Sequence, residues 1–259
     1  LSRNGVKITG IVLFCFLFTS FMNWLTGNPF RLSPTAVMIV GELGVLALAA
    51  FWIWKDRKYV VRLRITWRKL WTGVLLALSA IGLSLGVIDL VHPLPFALVL
   101  HAMRSQPRFA WHFVGDSAEM VLLVGIAEEL FFRGYLFEYM TSGPFHFRVL
   151  TAAVINGLLF GLFHTAHDLE RVSLHQVSAH QEWIIVCFQY AYGLISCLLY
   201  AWTSNIVFVI VLHGLIDSPV FGALGTPAPY MFVVIAVAIV MVAILRYFRW
   251  RRDALALPG

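Results

Sequence analysis

The chain has 259 residues, 60% of them hydrophobic and only 12% charged, with a formal net charge of +6. Soluble domains carry roughly 25% charged residues. With a mean hydropathy of +0.84, the composition excludes a soluble fold and predicts an all-α fold, a polytopic transmembrane helix bundle forming one integral membrane domain over 1–259. The basic residues flank apolar runs, as topology signals do, which argues against a nucleic-acid partner.

In chain order, apolar runs long enough to cross a membrane as helices fall at 8–26, 36–54, 70–90, 117–140, 148–166, 182–202, 205–222 and 229–249, about eight spans. The first has no small-residue cleavage site and is followed by further spans, so it is expected to be a helix rather than a signal peptide. Between spans two and three, "KDRKYVVRLRITWRK" (55–69) carries seven basic residues and one acid. The stretch "PLPFALVLHAM" (93–103) is too short to span and is expected to be re-entrant or interfacial. "RYFRWRR" (246–252) adds four basic residues near the C-terminus. Counting spans, these clusters fall on one side together with Arg3 and Lys7, which predicts cytoplasmic termini and external loops at 91–116 and 167–181. Cys15, Cys187 and Cys197 lie in apolar runs without zinc-ligand spacing and are expected to be packing or membrane-facing residues.

The fourth run contains "GIAEELFFRGYLFEYM" (125–140), with Glu128, Glu129 and Arg133 in six residues. A charge at the bilayer centre costs at least about 2.5–3.5 kcal/mol on insertion scales, so such groups indicate function by default. At about 100° per residue, Glu129 and Arg133 share a helix face and are expected to pair. Glu128 points about a quarter turn away, placed to act as a general base. The alternative is a packing network of all three residues. In "NGLLFGLFHTAHD" (156–168), Phe160 and His164 share a face, and in "IVFVIVLHGLID" (206–217), so do His213 and Asp217. Together the three runs supply what is needed to activate a water and stabilise an oxyanion.

The order EExxxR, FxxxH, HxxxN/D resembles the CAAX-protease and bacteriocin-processing family, also called Abi, of intramembrane proteases. Here it reads Glu128-Glu129-Leu130-Phe131-Phe132-Arg133, then Phe160-Gly161-Leu162-Phe163-His164, then His213-Gly214-Leu215-Ile216-Asp217. The resemblance implies a glutamate-dependent peptidase with a catalytic core at about 117–222. It implies a multi-pass protein, expected in a bacterial inner membrane, acting on a membrane-embedded or lipid-anchored peptide. By carry-over, Glu128 and His164 hold and activate the water, His213 and Asp217 steady the oxyanion, and Glu129 and Arg133, with Phe160, support them. Many members carry Asn where this chain has Asp217. An ionised Asp would repel an oxyanion, so Asp217 is expected either to be protonated or to orient His213.

No cofactor is expected. The sequence has no HExxH on one helix, although Glu128, His164 and His213 could supply three zinc ligands from separate helices with a fourth position open. The segment "HTAHDLERVSLHQVSAH" adds His167, His175 and His180, read as a solvated polar loop. The rival readings are a transporter with a polar pathway, which would usually show broken helices or inverted repeats, and an inactive partner-binding protein of the same fold. Glu128 near mid-span, His164 near the outer end of span five and His213 midway along span seven place the expected site in the outer half of the bilayer.

Overall fold

The structure, a computed structural model, describes residues 33–60, 62–91, 101–173, 179–219 and 227–255, with isolated positions outside these ranges. Among the described residues every element is helical. Ser33 caps the first helix, α1 (Pro34–Lys55): its Oγ accepts from Ala36 N at 3.2 Å, and Pro34 opens the helix, where a missing N–H costs nothing. Then follow α2 (Trp67–Val91), α3 (Pro107–Glu119), π1 (Met120–Gly125), α4 (Ile126–Glu129), π2 (Leu130–Phe137) and α5 (Glu138–Ser142). The remaining helices are α6 (Val149–Ser173), α7 (Ala179–Thr203), α8 (Ile206–Ile216) and α9 (Pro227–Leu255).

Among the described residues, four helical stretches are long and apolar enough to cross a membrane: Thr35–Lys55, Trp67–Val91, Trp183–Thr203 and Tyr230–Arg251. Val149–Thr165 and Ile206–Ile216 are shorter apolar helices. The helical membrane class therefore holds, while the expected count of about eight spans is not reached among the described residues. The 8–26 run, with Cys15, lies largely outside them, as does most of 93–103. The expected external loops also contain more helix than their polarity suggested. Residues 107–116 belong to α3, and α6 continues through 167–173 to Ser173. Both segments are polar on average but contain no internal proline or glycine run that would stop a helix. The apolar part of α6 ends at Thr165, so His164 lies near the end of the apolar stretch although the helix itself runs on.

The residues gather into two compact units, Leu1–Arg64 with Val121–Leu198, and Ile65–Met120 with Leu199–Gly259. In the first, α1 packs on α4 and π2, and α6 packs on π2. Glycines bring α6 and α7 close: a Cβ on Gly157 would stand 2.8 Å from Leu194 N, and one on Gly193 2.9 Å from Gly157 Cα. Small residues at a crossing are how membrane helices gain backbone contact, because lipid supplies no hydrophobic drive between them. At one edge of this unit Asp56 accepts from Tyr135 Oη at 2.8 Å and pairs with Lys7, whose ammonium lies 4.5 Å from the ring centres of both Trp52 and Tyr139.

In the second unit α8 and α9 pack on α2. Asn205 anchors α8 twice over. Its Oδ1 accepts from Val207 N at 3.1 Å, and its Nδ2 donates to Lys69 O at 2.9 Å. Gly73 admits the close approach, since a Cβ there would stand 2.8 Å from Phe208 N. At 11 residues α8 is about 16 Å long, short of the ~30 Å hydrocarbon core. The expected span 205–222 ends early because Asp217 caps the helix, its N–H donating to His213 O at 3.0 Å.

Candidate active site

The fourth polar run folds as expected in one respect and not in another. Glu128 and Glu129 sit on the short α4, and Arg133 lies one turn on, but that turn is π-helical. Glu129 and Arg133 still meet, with Nη1 3.0 Å from Oε1 and both side chains fully buried. Side chains and a carbonyl from α6 and α7 lie against the pair. The guanidinium lies 4.4 Å from the centre of the Phe160 ring and 5.5 Å from that of Tyr192. A desolvated contact of this kind contributes about 2 kcal/mol or more. Arg133 Nη2 also donates to Gly193 O at 3.4 Å, and Tyr192 Oη donates to Glu129 Oε1 at 3.4 Å.

Glu128 faces elsewhere. Its Oε2 lies 3.5 Å from His164 Nε2, with the carboxylate buried and the imidazole partly accessible. The histidine is fixed from behind: Nδ1 is 2.9 Å from Phe160 O. A carbonyl oxygen can only accept, so Nδ1 carries the proton, and Nε2 is the nitrogen turned to Glu128. Phe160 thus serves both groups, its ring lying against Arg133 and its carbonyl holding His164.

His213 and Asp217 belong to the second unit. His213 is buried on α8, and its Nε2 lies 3.1 Å from Asp217 Oδ2, an exposed residue at the helix end. Each pairing expected from sequence spacing is therefore formed: Glu129 with Arg133, Phe160 with His164, and His213 with Asp217. Among the described residues, no three His, Cys, Asp or Glu side chains gather as a metal-binding group. His180 is exposed, and His175 lies outside the described residues, as does the side chain of His167.

Residues 110–219 match the family model described as Type II CAAX prenyl endopeptidase Rce1-like. The segment is similar to that family. This bears out the resemblance read from the three motifs, and the family is one of proteases. The Rce1-like stretch begins in α3, takes in all three motifs and ends just past Asp217. With four long apolar helices among its described residues, the chain is an integral membrane protein, and its 110–219 segment is similar to this protease family. The sequence matches no curated relative.

Several partners of the site were not picked out from sequence. Asn156 Nδ2 donates to Phe132 O at 2.7 Å, and Cys197 Sγ donates to Asn156 Oδ1 at 3.2 Å. Cys197 is buried in packing as expected, while Cys187 is exposed. Glu138, wholly buried, meets Arg62 Nε at 3.7 Å. An amide or acid inside an apolar span was the available signal for Asn156 and Glu138; neither stands at a motif position.

Proposed function

We propose that the protein is an intramembrane endopeptidase of the glutamic type, hydrolysing a peptide bond in a membrane-anchored substrate. The observation that carries this reading is the meeting of Glu128 and His164 from separate helices, beside a buried Glu129–Arg133 pair. Glu128 takes a proton from a water held against His164, and the hydroxide adds to the scissile carbonyl. The proton then passes to the leaving amine as the C–N bond breaks. His164 Nδ1 stays bonded to Phe160 O throughout, so the imidazole keeps one orientation while Nε2 exchanges the proton with Glu128 and water.

His213 steadies the tetrahedral oxyanion, and Asp217 acts through it. An imidazolium whose Nε2–H is held by Asp217 Oδ2 offers Nδ1–H to the oxyanion. That assignment needs no protonated Asp217.

The family description makes a prenylated C-terminal peptide the first substrate to try. We place both termini in the cytoplasm on the strength of the basic clusters at 55–69 and 246–252. The test is cleavage of a farnesylated peptide ending in a C-a-a-X sequence, beside its unlipidated counterpart, by purified protein and by Glu128→Gln. Cleavage of both peptides by the wild type would limit the claim to peptide hydrolysis. Turnover retained by Glu128→Gln would overturn the glutamate mechanism.

A further inference from the structure

Two π-helical segments, π1 and π2, bracket Glu128 and Glu129. Such turns are rare in proteins, occur mostly as short insertions within α-helices and are frequent at functional sites. Uncommon backbone geometry persists where the surroundings over-determine it. Here one restraint comes from outside the helix, where Asn156 on α6 donates from Nδ2 to the main-chain carbonyl of Phe132, inside π2, at 2.7 Å. The carbonyl can only accept, so the amide must turn its NH2 that way. Its Oδ1 is left to accept from Cys197 Sγ–H on α7, at 3.2 Å. Asn156 and Cys197 are wholly buried, so no water competes for either bond.

We infer that Asn156 is a positioning residue for Glu128. It holds the catalytic helix in its π register, while Cys197 fixes the orientation of the amide. The inference rests on the peptidase reading above. A π turn holds about one residue more than an α turn, so relaxing π2 to α geometry rotates one flank against the other by about 100°. Glu128 and Glu129 stand on one flank, and Arg133 lies within the segment that would rewind. Asn156 and His164 are both on α6, about two turns apart. One of them grips the backbone of the catalytic helix and the other meets its carboxylate. The two helices are pinned at two points, and releasing the first lets the second drift. Leucine fills the volume of asparagine but cannot donate, and serine can donate but is too short to span the same gap.

The experiment combines hydrogen exchange and kinetics on the purified full-length protein in detergent. Asn156→Leu is expected to raise amide exchange at 130–137 by more than about tenfold while α2 and α9 exchange as before. On a peptide substrate, kcat should fall by about 10²-fold with KM nearly unchanged, as misplacement of a reacting group by about 1 Å predicts. Cys197→Ala should show the same pattern more weakly, and Cys197→Ser, which keeps a donor, should recover kcat relative to Cys197→Ala. Unaltered exchange at 130–137 in folded Asn156→Leu overturns the inference, as does an effect on KM alone. Should Asn156→Leu fail to fold, equal exchange at 130–137 in Cys197→Ala and Cys197→Ser overturns it. A wild type that cleaves no peptide counts against the peptidase reading, while the exchange measurement still decides whether Asn156 holds π2.

Discussion

His164 gives its Nδ1 proton to the carbonyl of Phe160, one turn back on the same helix, at 2.9 Å. The bond fixes both the ring's orientation and its tautomer, and it leaves Nε2 facing Glu128 at 3.5 Å. The FxxxH spacing is thereby a chemical requirement. The residue four before the histidine supplies the acceptor, and its side chain at the same position lies against Arg133. Substituting Phe160 by leucine should keep the carbonyl bond but remove the ring from the guanidinium.

Glu128→Gln should fold as the wild type does and lose peptide cleavage by about 10²–10⁴-fold, the usual contribution of a general base. Size-exclusion behaviour and thermal melting in detergent check the fold, and turnover of a peptide substrate checks the rate. The melting temperature should change little, because Arg133 interacts more strongly with Glu129 than with Glu128.

Glu129→Ala and Arg133→Ala should each lower stability by about 3–5 kcal/mol, because each strands a buried charge. The double substitution should cost less than the sum of the two, a coupling that denaturant unfolding of all four proteins measures. Additive costs would mean that the 3.0 Å contact contributes no coupling. Arg133→Lys should also be poorly tolerated, since an ammonium cannot lie flat on Phe160 while reaching both Glu129 and Gly193 O.

Asp217→Asn should retain most activity, because the amide oxygen can still accept from His213 Nε2–H. Asp217→Leu, which cannot, should lose about 10-fold or more in kcat if Asp217 acts by orienting His213. An equal loss in asparagine and leucine would show that the carboxylate's charge is what matters.

Purified active protein should contain far less than one zinc per chain by elemental analysis, and chelators should not inhibit it reversibly. Stoichiometric zinc that disappears in a His164→Ala/His213→Ala protein would replace the glutamate mechanism with a metal-centred one.

Single cysteines at Thr141 and Thr165, in a background without Cys15, Cys187 and Cys197, report which side each end of the site faces. With cytoplasmic termini, an impermeant thiol reagent added to intact cells should label Thr165→Cys and spare Thr141→Cys. The opposite pattern would invert the topology drawn from the basic clusters.

The site was readable in the sequence wherever helical spacing alone decides which side chains meet. Glu129 with Arg133, Phe160 with His164, and His213 with Asp217 each stand four residues apart, and each pair is in contact. What escaped was backbone register. A uniform α-helix was assumed through 125–140, whereas π2 occupies Leu130–Phe137, and hydrophobic side chains carry no mark that separates the two geometries. Asn156 escaped for the same reason, since its partner is a main-chain carbonyl and no sequence pattern names one. The polarity of 167–173 suggests a loop, yet α6 runs through it to Ser173, since polar residues are compatible with a helix that extends past its apolar zone. The short α8 was overextended because its apolar pattern does not reveal that Asp217 closes the helix.

Lys7 reaches the motif helix through Asp56, which Tyr135 also reaches. Tyr135 and Glu129 lie on consecutive elements of that helix, so the Lys7 ammonium has a mechanical path to the buried ion pair. Acylating the Lys7 amine would remove the charge that faces Asp56 and empty the seat between Trp52 and Tyr139. Lys7→Met would then lower melting temperature and turnover together, although it touches nothing at Glu128.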